Sequence, residues 1–132
     1  MKLTTFTDGG ARGNPGPAAT GIVIKDQHNK IIAAYGEYLG EQTNNYAEYA
    51  AVISALRKAK ELKADEVECF LDSKLVVEQL NRKWKVKEPS LQKLFIQAYN
   101  VTAQFKKVTF KHIYREKNKE ADALVNETLD KR

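Results

Sequence analysis

Four carboxylates stand where ligation of a cation suits them better than exposure to water. Asp8 ends Leu-Thr-Thr-Phe-Thr-Asp8 and precedes two glycines, while Asp72 ends Val-Glu-Cys-Phe-Leu-Asp72 and precedes serine. Glu48 follows Thr-Asn-Asn-Tyr-Ala, and Asp122 follows Asn-Lys-Glu-Ala. Two of these acids close apolar runs that read as strands, and two lie near the starts of amphipathic helices. Carboxylates that converge repel one another and resist dehydration, so a shared site needs positive charge between them. Hard divalent cations take oxygen ligands, and a pair of them serves displacement at a phosphodiester. Magnesium-dependent phosphodiester hydrolysis is the chemistry these residues point to together.

Three of the four acids also have a plainer account. Asn45-x-x-Glu48 fits a capping box, Asp72 could cap a following helix, and Asp122 lies in the first turn after Asn118, where the helix dipole favours negative charge. Asp8 has no such account, because aspartate is depleted in strands and no helix follows it. Glu48 sits four residues before Val52 at the edge of an apolar stripe, and Asp122 flanks Ala121, Leu124 and Val125. One shared metal site explains all four with fewer assumptions. Glu37, Glu41, Asp65, Glu66, Glu68, Glu78 and Asp130 read instead as solvated or helix-end charges.

The elements that must position these acids follow from periodicity. Residues 2–8 read as a strand, and Gly9 to Pro17 as a turn-rich loop in which Asn14-Pro15-Gly16 suits a type II turn. Strands at 21–25 and 31–38 join through Asp26-Gln-His-Asn29 as a hairpin. A helix over 44–62 carries Tyr49, Val52, Ile53 and Leu56 on one stripe. A strand at 66–72, a helix near 73–82, a helix from about 90 to 105 opening at Pro89, a strand at 107–115 and a terminal helix from Asn118 complete the chain. The order β-β-β-α-β-α-α-β-α predicts an α/β fold with a five-stranded mixed sheet flanked by helices. If the strands at 2–8 and 66–72 are parallel neighbours, Phe6-Thr-Asp8 and Phe70-Leu-Asp72 bring two carboxylates to one sheet edge.

At 132 residues, the chain is expected to be one domain, 1–132. Its single cysteine, Cys69, excludes an internal disulfide and reads as a buried strand residue. The N-terminus lacks the roughly 7–15-residue apolar stretch of a signal peptide, and no segment reads as a membrane span. A monomer in the reducing cytoplasm is the expectation. Lysine and arginine outnumber aspartate and glutamate by 22 to 17, a formal +5 that favours a polyanionic partner. Arg82-Lys-Trp84-Lys-Val-Lys87 gathers four cations around one tryptophan, either a phosphate-binding patch or a solvated loop with Trp84 tucked against the core. The glycine loop after Asp8 lacks the Gly-Lys-Ser/Thr of a P-loop, but it lets a polymer backbone approach, with Arg12 and Asn14 available as contacts.

Asp8-Gly-Gly-Ala-Arg-Gly-Asn-Pro-Gly-Pro, Thr43-Asn-Asn-Tyr-Ala-Glu48, Asp72-Ser-Lys-Leu-Val and Arg115-Glu-Lys-Asn-Lys-Glu-Ala-Asp122 resemble the four motifs of the type 1 ribonuclease H family. They occur in order and cover essentially the whole chain. The resemblance implies a ribonuclease H-like fold and hydrolysis of the RNA strand of RNA–DNA hybrids, leaving 5′-phosphate and 3′-hydroxyl ends. It also implies two Mg²⁺ or Mn²⁺ ions per site, with Asp8, Glu48, Asp72 and Asp122 as ligands. Gly9, Asn14, Asn45 and Lys74 fall where the family contacts hybrid, and Arg12, Trp84 and Arg115 join them as candidates. Two departures stand out. The short segment before Asp122 lacks the histidine of longer members, leaving Arg115, Glu116 or water to serve, and the inserted basic helix is missing. His112 reads as a packed strand residue and His28 as solvated. The alternatives are the same site acting on double-stranded or structured RNA, and a catalytically weak module that only holds hybrid.

Overall fold

Strand-forming residues dominate the first forty positions, and the chain folds back on itself twice there. In the computed structural model, which describes residues 1–132, β1 (Lys2–Ala11), β2 (Gly16–Lys25) and β3 (Ile31–Gln42) form an antiparallel meander. Asp26 closes the second turn as expected: its Oδ1 accepts the His28 and Lys30 N–H groups at 2.8 and 3.0 Å, and Asn29 takes a positive φ of 62°. After α1 (Asn44–Glu61), β4 (Glu66–Leu71) returns parallel to β1. Then come α2 (Lys74–Leu80), α3 (Pro89–Thr102), β5 (Lys107–His112) parallel to β4, a 3-10 turn at Arg115–Lys117 and α4 (Lys119–Lys131). The sheet order is β3-β2-β1-β4-β5, the five-stranded mixed sheet the sequence predicts. No helix is long and apolar enough to cross a membrane.

Helices cover both faces of the sheet. On one face Leu3, Ile22, Ile24, Val67, Cys69 and Leu71 pack with Tyr49, Val52, Ile53 and Leu56 of α1 and with Leu91 and Leu94 of α3. On the other, Val125 and Leu129 of α4 pack against Ala19. That double cover explains why β2 is buried almost along its whole length rather than alternating. Burial also raises the Cys69 thiol to about 12, consistent with a packing role.

The main difference from the sequence reading lies at the glycines. Gly9, Gly10 and Ala11 pair with Thr20, Ala19 and Ala18, so most of the expected loop extends the hairpin, which Arg12 N–H closes onto the Pro17 carbonyl at 2.8 Å. The Asn14–Pro15 peptide is cis and the positive φ, 99°, falls on Gly13 instead of Gly16, so the expected type II turn is not formed. Helix α2 stops at Leu80 and β5 at His112, both earlier than expected.

Two glycines set the spacing around the future site. A Cβ on Gly9 would overlap the main chain of Ala47 and Glu48, so its absence lets α1 lie directly on β1. Gly21 faces Asp8 across the β1–β2 pair, and a Cβ there would overlap the Ala121 carbonyl oxygen of α4. Gly21→Ala is therefore expected to destabilise the fold by about 1–3 kcal/mol, the range for overpacking a rigid contact. Urea denaturation checks this, and an unchanged midpoint would show that α4 can retreat freely.

Candidate active site

Strand register brings the first two acids together. Phe6 pairs with Phe70 and Thr7 with Leu71, so Asp8 and Asp72 emerge side by side where β4 ends and β1 continues. The two phenylalanine rings stack at 5.2 Å between centroids, fixing that register from the opposite end of each motif. Helix α1 supplies the third acid. Thr43 caps it by accepting the Tyr46 N–H at 3.1 Å, so the alternative reading of Glu48 as part of a capping box with Asn45 does not hold. Glu48 instead turns inward, and its Oε1 accepts the Gly9 N–H at 2.6 Å. Ligand atoms of Asp8, Glu48 and Asp72 then all lie within 4.8 Å of one another.

Asp72 does not cap α2, because Ser73 does so through the Val76 N–H at 3.3 Å. It accepts a hydrogen bond from Asn118 Nδ2 at 3.0 Å, and the same amide donates to the Thr7 carbonyl at 2.8 Å. Asp122 stands outside the tight trio but lines the same cleft, a concavity of about 470 Å³ also bordered by Asn44, Asn45, Ser73, Arg115 and Asn126. Asn126 Nδ2 donates to the Asp122 main-chain oxygen at 3.2 Å and so braces this turn of α4.

The electrostatics are those of an unneutralised acidic cluster. Burial, reinforced by the neighbouring charges of Asp72 and Asp122, raises the Asp8 carboxyl to about 7, even though a hydrogen bond from Glu48 opposes the shift. Burial first, then the charge of Asp8, holds Glu48 well above the usual carboxylate range. None of the four acids forms an ion pair with a lysine or arginine. Three converging carboxylates, Asp8 and Glu48 buried and Asp72 half-buried, without a cationic partner, fit a hard divalent cation by donor type and charge. The largest concavity, about 850 Å³ between β3 and α1, is lined mainly by apolar and aromatic side chains such as Tyr35, Tyr38 and Ile53 and gathers no ligand cluster.

The remaining candidates divide by what already engages them. The Gly9 N–H is taken by Glu48. Arg12 Nη2 pairs with Asp130 at 2.7 Å, and Asn14 Oδ1 accepts the Asn44 N–H at 3.0 Å, leaving the Asn14 amide nitrogen free. Asn45 and Arg115 border the cleft, and Lys74 is exposed at the start of α2. Trp84 lies elsewhere, 46% exposed, in a groove of about 630 Å³ with Arg82, Lys83, Lys85, Phe95 and Ile96, so it is not tucked into the core. That loop is anchored from inside: Tyr49 Oη donates to Gln79 Oε1 at 2.7 Å, and Gln79 Nε2 donates to the Lys85 carbonyl at 3.2 Å.

His112 corrects an expectation. Val108 and Phe110 of the same strand pack against the core, but His112, the last residue of β5, is exposed, its Nε2 3.3 Å from the Asp72 carbonyl oxygen. Alternation gave its side correctly and could not show where the core stops. Asn44, Asn118 and Asn126 were not singled out as site residues from sequence. Each sits in or beside a quoted motif, but its role depends on partners from distant elements.

A family profile described as reverse transcriptase-like matches residues 6–128. A bifunctional protein of Mycobacterium tuberculosis is 43% identical over 98% of this chain, which spans 36% of that protein's length. The crystal structure of RNase H1 from the archaeon Halobacterium salinarum superposes with a TM-score of 0.98 at 39% identity, covering 100% of both chains. LC11-RNase H1, solved in complex with an RNA/DNA hybrid, superposes at 0.92 with 44% identity, covering 98% of this chain and 97% of the other.

The raised acids dictate a pH dependence. Below about pH 4 the Asp8 carboxyl is protonated in both folded and unfolded chains; from there to about 7 only the folded chain retains the proton. Stability of the metal-free protein must therefore fall as pH rises through that window. Asp8→Asn is expected to be more stable than wild type at pH 8 in EDTA, by on the order of 4 kcal/mol, and to match it near pH 4. Thermal melts across pH check this, and equal stabilities at pH 8 would contradict the assigned burial cost.

Proposed function

Because the chain belongs to the type 1 ribonuclease H family, we propose that it is a metal-dependent endonuclease cutting the RNA strand of RNA–DNA hybrids. The observation that supports this most is the convergence of Asp8, Glu48 and Asp72 within 4.8 Å, with Asp122 on the same cleft wall. The chain spans 36% of the mycobacterial protein and 65% of the Halobacterium ribonuclease HI sequence, so the reading concerns the activity of residues 1–132 as one domain.

Asp8, Glu48, Asp72 and Asp122 would hold two Mg²⁺ or Mn²⁺ ions. Bound there, such ions make a water nucleophilic at neutral pH and offset charge on the departing 3′ oxygen, consistent with 5′-phosphate and 3′-hydroxyl products. The chain's own groups prepare this site. The Gly9 N–H fixes the Glu48 carboxylate, and the β1–β4 register fixes Asp8 against Asp72. Arg115, which lines the cleft and is exposed, is our candidate to assist product release in place of the histidine missing from this segment, with Glu116 or water as the other groups that could serve. The Asn14 amide, Asn45 and the main chain near Gly9 are the candidates for contacts to 2′-hydroxyls that would distinguish an RNA strand, reading shape rather than base identity. Lys74, together with Trp84 and the cations at 82–87, offers backbone contacts beyond the cleft.

Incubating the protein with labelled RNA–DNA hybrid, double-stranded RNA and double-stranded DNA, with and without Mg²⁺ or Mn²⁺, tests this reading. Cleavage confined to the RNA strand of the hybrid, metal-dependent and reduced to background in a folded Asp8→Asn variant, is expected. Preferential cutting of double-stranded RNA, or metal-independent cutting, would reject it. In the same assay Lys85→Ala should weaken hybrid binding evenly across sequences and lower the slope of log K against log salt by about 1.

A further inference from the structure

We propose that Asn118 is a positioning residue for the carboxylate cluster: its side-chain amide orients Asp72 and ties the strand carrying Asp8 to the helix carrying Asp122. The inference rests on the nuclease reading above and assigns a residue that contacts neither cation nor substrate.

The geometry is specific. Asn118 is 2% exposed, and its Nδ2 donates to the Thr7 carbonyl at 2.8 Å and to Asp72 Oδ2 at 3.0 Å. Both partners only accept, so the amide has one tenable orientation, since its reverse would press Oδ1 against a carbonyl and a carboxylate. Thr7 directly precedes Asp8 in β1. The Asn118 carbonyl in turn accepts the Asp122 N–H at 3.1 Å, in the first turn of α4. One residue thus touches the backbone beside one carboxylate, the side chain of a second and the backbone of a third.

Helix stability alone does not account for this arrangement. An asparagine at a helix start ordinarily lends its side-chain oxygen to a free N–H of the first turn. Asn118 occupies that position at the start of α4 yet makes no side-chain cap. Its Oδ1 is instead buried without a hydrogen-bond partner. The helix forgoes a favourable bond and tolerates an orphaned acceptor so that both amide hydrogens can face Thr7 and Asp72. An amide also suits the task better than an ammonium or guanidinium would. It fixes Asp72 by hydrogen bonding without neutralising its charge, and Asp72 Oδ1 is left with no hydrogen bond from the protein.

Such a partner behind a metal ligand typically contributes 10–100-fold in metal affinity or activity. The test is calorimetric titration of Mn²⁺ into wild type, Asn118→Ala and Asn118→Leu, the leucine filling the space without a donor, paired with hybrid-cleavage kinetics. Both folded variants are expected to bind Mn²⁺ about 10–100-fold more weakly, with the KM for hybrid unchanged and kcat recovering as Mn²⁺ is raised. A lowered melting temperature with Mn²⁺ affinity within about twofold of wild type would overturn the proposal, assigning Asn118 to the fold alone. Failure of both variants to fold would overturn it in the same way. If wild type itself neither binds Mn²⁺ nor cuts hybrid, the nuclease reading fails first, an outcome distinct from variants that bind as wild type does.

Discussion

Repulsion among dehydrated carboxylates is the constraint around which the chain is arranged. Asp8 and Glu48 are both buried, both raised in pKa, and both held against Asp72 without a cationic side chain to relieve them. Such a cluster works against folding, and it persists only where the surrounding structure over-determines it. The over-determination is visible. Parallel register fixes Asp8 beside Asp72, a main-chain N–H fixes Glu48, and Asn118 fixes Asp72 to both β1 and α4.

Close approach of helices to the sheet makes that possible. Acids on α1 and α4 can reach the acids on β1 and just after β4 only if both helices lie nearly on the backbone, and Gly9 and Gly21 remove the Cβ atoms that would hold them away. These glycines are therefore as much part of the site as the carboxylates, although they contribute no side chain to it. The core supplies the rigidity: Tyr49 and its neighbours lock α1 to the sheet, and the Tyr49–Gln79–Lys85 chain carries that rigidity out to the Trp84 loop.

Much of this was legible in the sequence because it depends on periodicity and local order. Element order and the five-stranded mixed sheet follow from periodicity, and the matched ends of Phe6-Thr-Asp8 and Phe70-Leu-Asp72 offer a pairing that the parallel β1–β4 register realises. What the sequence withheld depends on tertiary neighbours. Gly9 and Gly10 read as loop because glycine is a weak strand former, yet backbone pairing with β2 and the pressure of α1 make them strand. Asn118 read only as a helix start, since its partners lie 111 and 46 residues away in sequence. His112 read as packed because alternation gives the side of a strand and says nothing of where the opposing helices end. Asp122 lines the same cleft and acts on Asp8, but it lies outside the trio that meets within 4.8 Å, a distance periodicity does not give.

The central claim is that this acidic convergence exists to be neutralised by cations. Anomalous diffraction from crystals soaked in MnCl₂ tests it directly. The account predicts manganese density enclosed by the oxygens of Asp8, Glu48 and Asp72, extending toward Asp122. A well-ordered crystal with those carboxylates in place and no anomalous peak among them would contradict it.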